Sequence, residues 1–304
     1  MDRGFNQSFV THNIILASIP RSGSSWLRGV LSSSKSIIIF NEPALNKEHP
    51  FSQLPRLIEK EDVNTEYGKI LRKGISDLSK LKYNCTHGFK ILDILKQTLG
   101  RCPLVRFKYI GFKTVTDEFR LGWVRRELCF PKTIFLIRNP FGQVLSRVIQ
   151  AERIKLNLKS VIPHKLVRDL PYDLNSMNEY QLAALAWRVS NEFCIRENED
   201  TGNFKVVIYE KLCEDPYGVV EDIFNFMHIS FGGEVKNFIR KMQINNFKPK
   251  FRIDVLYDIK KNPKEIINKW KKNITERQKL LIHDLVRDSD LMKYWSNYNF
   301  VTGE

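Results

Sequence analysis

Residues 13–31 read Asn-Ile-Ile-Leu-Ala-Ser-Ile-Pro-Arg-Ser-Gly-Ser-Ser-Trp-Leu-Arg-Gly-Val-Leu. An apolar run, Asn13–Ser18, has the pattern of a strand buried on both faces. Pro20 and Gly23 break it, and a helical pattern starts at Ser24 and runs to Ser33. A tight strand–turn–helix of this kind presents unpaired backbone N–H groups and the positive end of a helix dipole at one point. That is an anion site made of backbone. Gly23 lets the chain pass close to the anion. Ser22, Ser24 and Ser25 supply hydroxyl donors, and Arg21 supplies a forked cation.

Working outward, further strands are predicted at Ser36–Phe40, His87–Leu92, Tyr109–Phe112, Thr133–Ile137 and Lys205–Tyr209. Helical patterns fill Gln53–Ser79, Phe119–Leu128, Gln143–Leu156, Asn178–Asn198 and Tyr217–Met227. Alternation of this sort predicts an α/β fold, a parallel sheet with helices on both faces. Residues 155–175 are polar, carry Pro163 and Pro171, and read as an irregular insertion. The Lys- and Asn-rich C-terminal part carries two helical patterns, Val235–Gln243 and Thr275–Asp288, with Thr275 as N-cap. We expect one domain over residues 1–304, a core of about 13–230 with residues 231–304 packed on it as a helical extension.

The chain has 49 Lys+Arg against 34 Asp+Glu, a formal charge of +15, which suits an anionic partner or simply a soluble surface. The five cysteines, Cys85, Cys102, Cys129, Cys194 and Cys213, are scattered without metal-ligand spacing. Their odd number argues against a disulfide framework, and reduced thiols fit a cytoplasmic protein. No apolar run approaches the ~20 residues that cross a bilayer.

The turn lacks the GxxxxGK[ST] lysine of triphosphate-binding loops, which disfavours a Mg²⁺-dependent triphosphatase. A second segment, Thr133-Ile134-Phe135-Leu136-Ile137-Arg138-Asn139-Pro140, is followed by Ser146, eight residues past Arg138. An arginine at the carboxyl end of a strand pairs a phosphate through its guanidinium fork, and Ser146, two helical turns on, adds a hydroxyl. A salt bridge at a sheet edge is the plainer use of Arg138.

With both segments in view, the chain resembles the sulfotransferases that use 3′-phosphoadenosine-5′-phosphosulfate (PAPS), with a P-loop NTPase-like sheet. Pro20–Leu27 is similar to their 5′-phosphosulfate loop, in the RSGSS form of the carbohydrate and protein-tyrosine members. Arg138 and Ser146 match their 3′-phosphate site. Val207–Leu212 with Asp215-Pro216 resembles a third, weaker segment of the family, and Trp270-Lys271-Lys272 a loose tail signature. The resemblance implies that Trp26 and Tyr209 contact adenine, although either side chain serves equally as core.

The same resemblance assigns the chemistry. Sulfuryl transfer places charge on a leaving phosphate, so positioning and electrostatics dominate. Arg21 and the loop serve that phosphate. Lys113 matches a family lysine facing the bridging oxygen, with Lys90 as its rival. The small-molecule members' histidine is replaced here by Val115. Glu42, in Phe40-Asn41-Glu42-Pro43, stands at the loop where several carbohydrate members carry a glutamate, and is the expected general base. A structural pairing of Glu42 with Arg or Lys in a basic cleft is the alternative. His87 and His164 are lesser candidates. Arg153, Lys155, Lys165 and Arg168 are either solvated or contacts for an acidic acceptor.

The resulting expectation is PAPS as donor, no metal, and an acceptor with a free hydroxyl on a sugar or glycoconjugate. Small-molecule, tyrosine or phenolic hydroxyls stay open, as does a P-loop kinase-like enzyme. A basic nucleic-acid-binding module would explain the charge but not the Arg138/Ser146 spacing, so no nucleic acid is expected as partner.

Overall fold

The computed structural model describes residues 12–79, 108–199, 202–243 and 267–296. Five parallel strands, β1 (His12–Ser18), β2 (Ile37–Asn41), β3 (Tyr109–Thr114), β4 (Lys132–Ile137) and β5 (Phe204–Ile208), form one sheet in the order β2-β3-β1-β4-β5. The chain order therefore reverses around β1. Loops leaving β1 and β4 diverge there and open the crevice in which α/β proteins bind ligands.

β1 shows why the sheet is buried on both sides. Ile14 and Leu16 enter one apolar cluster, with Leu27 and Val30 of α1 (Ser24–Leu31). Ile15 and Ala17 enter the other, with Phe112, Phe135 and Phe141. Both faces are closed by helices, so an unbroken apolar run fits where an alternating one would not. Each fully buried Ile or Leu contributes about 1.5–3 kcal/mol.

Among the described residues the remaining helices are α2 (Thr65–Ser79), α3 (Leu121–Glu127), α4 (Pro140–Ile154), α5 (Glu179–Arg196), α6 (Tyr209–Glu214), α7 (Pro216–Phe226), α8 (Gly233–Gln243) and α9 (Glu276–Val286). α5 begins with a capping box between Asn178 and Gln181, and α9 with one between Thr275 and Gln278. Helix α9 packs on α5 and α4, so described residues of the C-terminal extension cover helices of the core.

Two expectations are corrected. Gln53–Ser79 is not one helix: a 3-10 turn (Pro50–Gln53) comes first, and α2 begins only at Thr65. Pro55 interrupts the pattern, buried Ile58 donates its N–H to the Phe119 carbonyl at 3.1 Å, and Asn64 then receives the N–H groups of Glu66 and Tyr67. Tyr209 does not end β5 but starts α6. The predicted strand His87–Leu92, with His87 and Lys90, lies outside the described residues, as do Cys85 and Cys102. Residues 155–175 are irregular as expected, with 3-10 turns at Leu158–Val161 and His164–Leu166, yet Leu158, Val161, Ile162 and Val167 reach the core. Among the described residues no helix is long and apolar enough to cross a membrane.

Candidate active site

A cleft of about 550 Å³ opens at the carboxyl ends of β1, β3 and β4. Arg21, Gly23, Ser24, Ser25, Trp26, Glu42, Lys113, Arg138, Ser146 and Tyr209 all line it. The turn and the Arg138 segment thus face one space.

The turn is shaped by left-handed backbone. Arg21 has φ 72° and Gly23 φ 89°, and such residues fold a chain into concave N–H surfaces. Gly23 is the N-cap of α1 and offers no side-chain cap of its own. A Cβ there would lie 2.3 Å from Tyr209 Cε2. Ser22 departs from its companions. It is fully buried, its hydroxyl donates to the Ile19 carbonyl at 2.8 Å and accepts from Gln143 Nε2 at 2.9 Å. Its hydroxyl is therefore committed inward, whereas Ser25 and Ser24, whose Oγ accepts from the Ser18 hydroxyl at 2.9 Å, line the cleft. Gln143 also donates to the Pro20 carbonyl at 2.6 Å, tying the turn to α4.

Arg138-Asn139-Pro140 works by position. Asn139 caps α4, accepting from Phe141 and Gly142 N–H groups, and Pro140 takes the first helical place, where no N–H is needed. Arg138 is then presented at the mouth of β4. Its Nη1 donates to the Arg21 carbonyl at 3.0 Å, and its guanidinium carbon sits 4.8 Å from the Tyr209 ring centre. Arg21 Nε donates in turn to Ser146 Oγ at 2.9 Å. The turn after β1 and the Arg138–Ser146 segment are thus joined by direct bonds.

On the other side of β1, Glu42 follows β2 with φ 45°, a left-handed conformation that costs a non-glycine residue of order 1–3 kcal/mol. Its N–H donates to the Lys113 carbonyl at 2.7 Å, and its carboxylate receives the Lys113 ammonium. Lys113 is buried to 2% exposure, which lowers its pKa, and Glu42 pulls partly the other way. Arg28, one helical turn past Ser24 on α1, is also buried; desolvation brings it to about 10, again opposed by Glu42. Among the described residues that line the cleft, Glu42 is the one carboxylate, against Arg21, Lys113, Arg138, Arg153 and Lys269. Such an excess of cations suits a polyanionic ligand.

The sequence reading missed Arg28 and Gln143, whose positions are visible only once α1 and α4 are seen to face the turn. It also left Trp270 without a role. The tail places Lys269, Trp270 and Asn273 along the cleft, with Trp270 stacked on Phe141 at 5.3 Å. Arg153 lines the cleft; Lys165 instead pairs with Glu59 at 2.6 Å and Arg168 with Asp169 at 3.3 Å, while His164 is exposed. Cys213 lines the cleft beside Tyr209, and Cys129, Cys194 and Cys213 are free thiols. Among the described residues no His, Cys, Asp and Glu cluster is placed to hold a metal ion.

Comparison with known proteins gives a consistent picture. Residues 13–232 match the profile of the family described as "Sulfotransferase family". Among solved structures, the sulfotransferase domain of the Synechococcus PCC 7002 olefin synthase is 21% identical at a TM-score of 0.52, covering 91% of this chain and 94% of its own. Mouse sulfotransferase SULT7A1 complexed with PAP is 18% identical at a TM-score of 0.52, covering 94% and 89%. The sulfotransferase domain from the curacin biosynthetic pathway is 16% identical at a TM-score of 0.51, covering 91% and 98%. No curated protein sequence matches the chain.

Proposed function

The chain belongs to the sulfotransferase family, and on that premise we propose that it moves a sulfuryl group from PAPS to an acceptor hydroxyl, in first place on a sugar or glycoconjugate. One observation carries this reading: Arg21 and Ser146 are bonded at 2.9 Å, so the loop and the Arg138 pocket form one basic cleft with Glu42 at its edge. A nucleotide carrying two phosphate groups suits a single cleft that gathers Arg21, Lys113 and Arg138.

The residues present suit the donor. Arg138 and Ser146 would hold its 3′-phosphate, and Arg21, Ser24, Ser25 and the loop N–H groups its 5′ end. Trp26 and Tyr209 supply aromatic surface for the adenine. Bound there, PAPS supplies the sulfuryl group and a phosphate leaving group. Lys113 stabilises negative charge developing on that phosphate. Glu42 accepts the proton of the acceptor hydroxyl, which has a high pKa and needs a positioned base. The Glu42-Pro43 pair and the Arg-Ser-Gly-Ser-Ser turn support a sugar as acceptor. Val115, Leu145 and the 56%-exposed Ile149 in the cleft wall favour a small-molecule or phenolic hydroxyl as the second reading. A cytoplasmic location and a single domain over residues 1–304 belong to the same proposal.

Thermal unfolding tests the donor. 3′-Phosphoadenosine-5′-phosphate at a hundred times its Kd should stabilise the protein by about 2.7 kcal/mol without added metal, and ATP should not do so comparably. Equal shifts from ATP with Mg²⁺ would favour a kinase-like enzyme. A screen of sugars, phenols and sterols with sulfur-labelled PAPS then separates the acceptor readings.

A further inference from the structure

Arg138 is held from behind by side chains that do not line the cleft. The Trp187 indole N–H donates to the Arg138 carbonyl at 3.0 Å. The next peptide N–H, that of Asn139, donates to Glu210 Oε1 at 3.1 Å. Glu210 Oε2 receives the indole N–H of Trp295 at 3.0 Å. The two indoles lie 5.9 Å apart. Trp187 and Trp295 are each 1% exposed and Glu210 is 3% exposed. Trp295 ends a 3-10 turn, Asp290–Trp295, far outside residues 13–232 that match the family.

We propose that Glu210 and Trp295 are positioning residues of the 3′-phosphate pocket, so that the C-terminal segment sets the cleft's preference for a nucleotide carrying a 3′-phosphate. The inference rests on the donor reading above. Its physical basis is that a guanidinium matches a phosphate only within a narrow geometry. The peptide bearing Arg138 is fixed on both sides, by Trp187 at its carbonyl and by Glu210 at the following N–H. Burial pushes the Glu210 carboxyl pKa up, and Trp295, Arg138 and the backbone N–H groups of Glu210 and Asn139 pull it partly back. Removing the Trp295 donor leaves one buried carboxylate oxygen unsatisfied. The carboxylate then reorients, and the Asn139 peptide it anchors moves with it. The turn after β1, which would hold the 5′ end, touches Arg138 through the Arg21 carbonyl but is also tied by Ser22 to Ile19 and by Gln143 to Pro20, and those two bonds keep it in place.

The test compares affinities of 3′-phosphoadenosine-5′-phosphate and adenosine 5′-monophosphate, by calorimetry on the full chain. In Trp295→Phe, which keeps the ring and loses the N–H, the bisphosphate should bind about tenfold more weakly while the monophosphate changes less than twofold. Trp123→Phe, a fully buried tryptophan on α3 away from the cleft, should alter stability without changing that ratio. If Trp295→Phe does not fold, Glu210→Gln, which leaves a single side-chain oxygen for the Asn139 and Trp295 N–H groups, carries the same comparison. An unchanged ratio in the folded variant, or an equal loss for both nucleotides, overturns the inference alone. A wild-type protein with no preference for the bisphosphate overturns the donor reading, and this inference with it.

Discussion

The buried Lys113 ammonium donates to Oε1 of Glu42, and the two residues are held in register by the β2–β3 pair, where Asn41 lies opposite Lys113. A candidate base and a candidate charge stabiliser are thus bonded partners. The structural pairing and the catalytic role of Glu42 are compatible, because a carboxylate held this way is aimed before the substrates arrive.

Glu42→Gln keeps the shape and an oxygen that accepts from Lys113, and removes the charge together with the basicity. Turnover should fall by about 10²–10⁴, the usual worth of a positioned base. Affinity for 3′-phosphoadenosine-5′-phosphate at pH 7 should stay within about threefold. Steady-state kinetics and calorimetry measure the two quantities, and near-wild-type turnover would remove Glu42 from the mechanism.

The same substitution should shift a pH profile. Burial is the largest cause lowering the Lys113 pKa; Glu42 raises it, and Arg28 and Arg21 lower it further. Without the Glu42 charge the ammonium loses its main compensation, and its pKa falls again. Nucleotide binding that needs the protonated amine should then weaken at a lower pH in Glu42→Gln than in the wild type. Coincident alkaline limbs for the two proteins would show that Lys113 does not meet the nucleotide.

Gly23→Ala meets two obstacles at once. The backbone there is left-handed, and the new methyl would press on the Tyr209 ring, which itself lies against Arg138. Strain at a left-handed residue costs of order 1–3 kcal/mol. Affinity for the bisphosphate nucleotide should drop at least tenfold. Pairing Gly23→Ala with Tyr209→Ala relieves the contact but not the strain, so the double variant should recover part of the stability, read from urea midpoints, and little of the affinity.

Much of this was legible because it is local. The apolar run, the turn and the helix start around Gly23 lie within nineteen contiguous residues, and Arg138, Asn139 and Pro140 each act through their own backbone. Parallel strands buried on both faces advertise themselves as unbroken apolar stretches, hence the close agreement for β1 and β4. What escaped depends on contacts distant in sequence. Arg28 reads as an ordinary helix residue until Glu42 is seen near it, and the inward turn of Ser22 depends on Gln143, 121 residues away. The false start of α2 at Gln53 has the same origin: Ile58 gains more from an extended contact with Phe119 than from continuing a helix through Pro55.

Acid sensitivity should trace to His49, which does not line the cleft. His49 is fully buried between the Pro50–Gln53 turn and α2; its Nδ1 accepts the Phe51 N–H at 3.2 Å, and its ring meets Phe51 edge-on at 4.6 Å. Desolvation lowers its pKa from 6.5 to about 4, against opposing effects of Asp77 and the Gly74 backbone. Between those values the unfolded chain binds a proton that the folded one refuses. Stability from this group is therefore present above pH 6.5 and is lost as pH falls toward 4, by about 3 kcal/mol at most. Glu118 and Glu210, raised by burial, act with the opposite sign, their contribution being present at low pH and lost as pH rises. They are common to wild type and variant, so they cancel in a difference. His49→Asn keeps an acceptor for Phe51 and cannot titrate. Its urea midpoint should fall less than that of the wild type between pH 7 and pH 4.5, and parallel falls would place the acid response elsewhere.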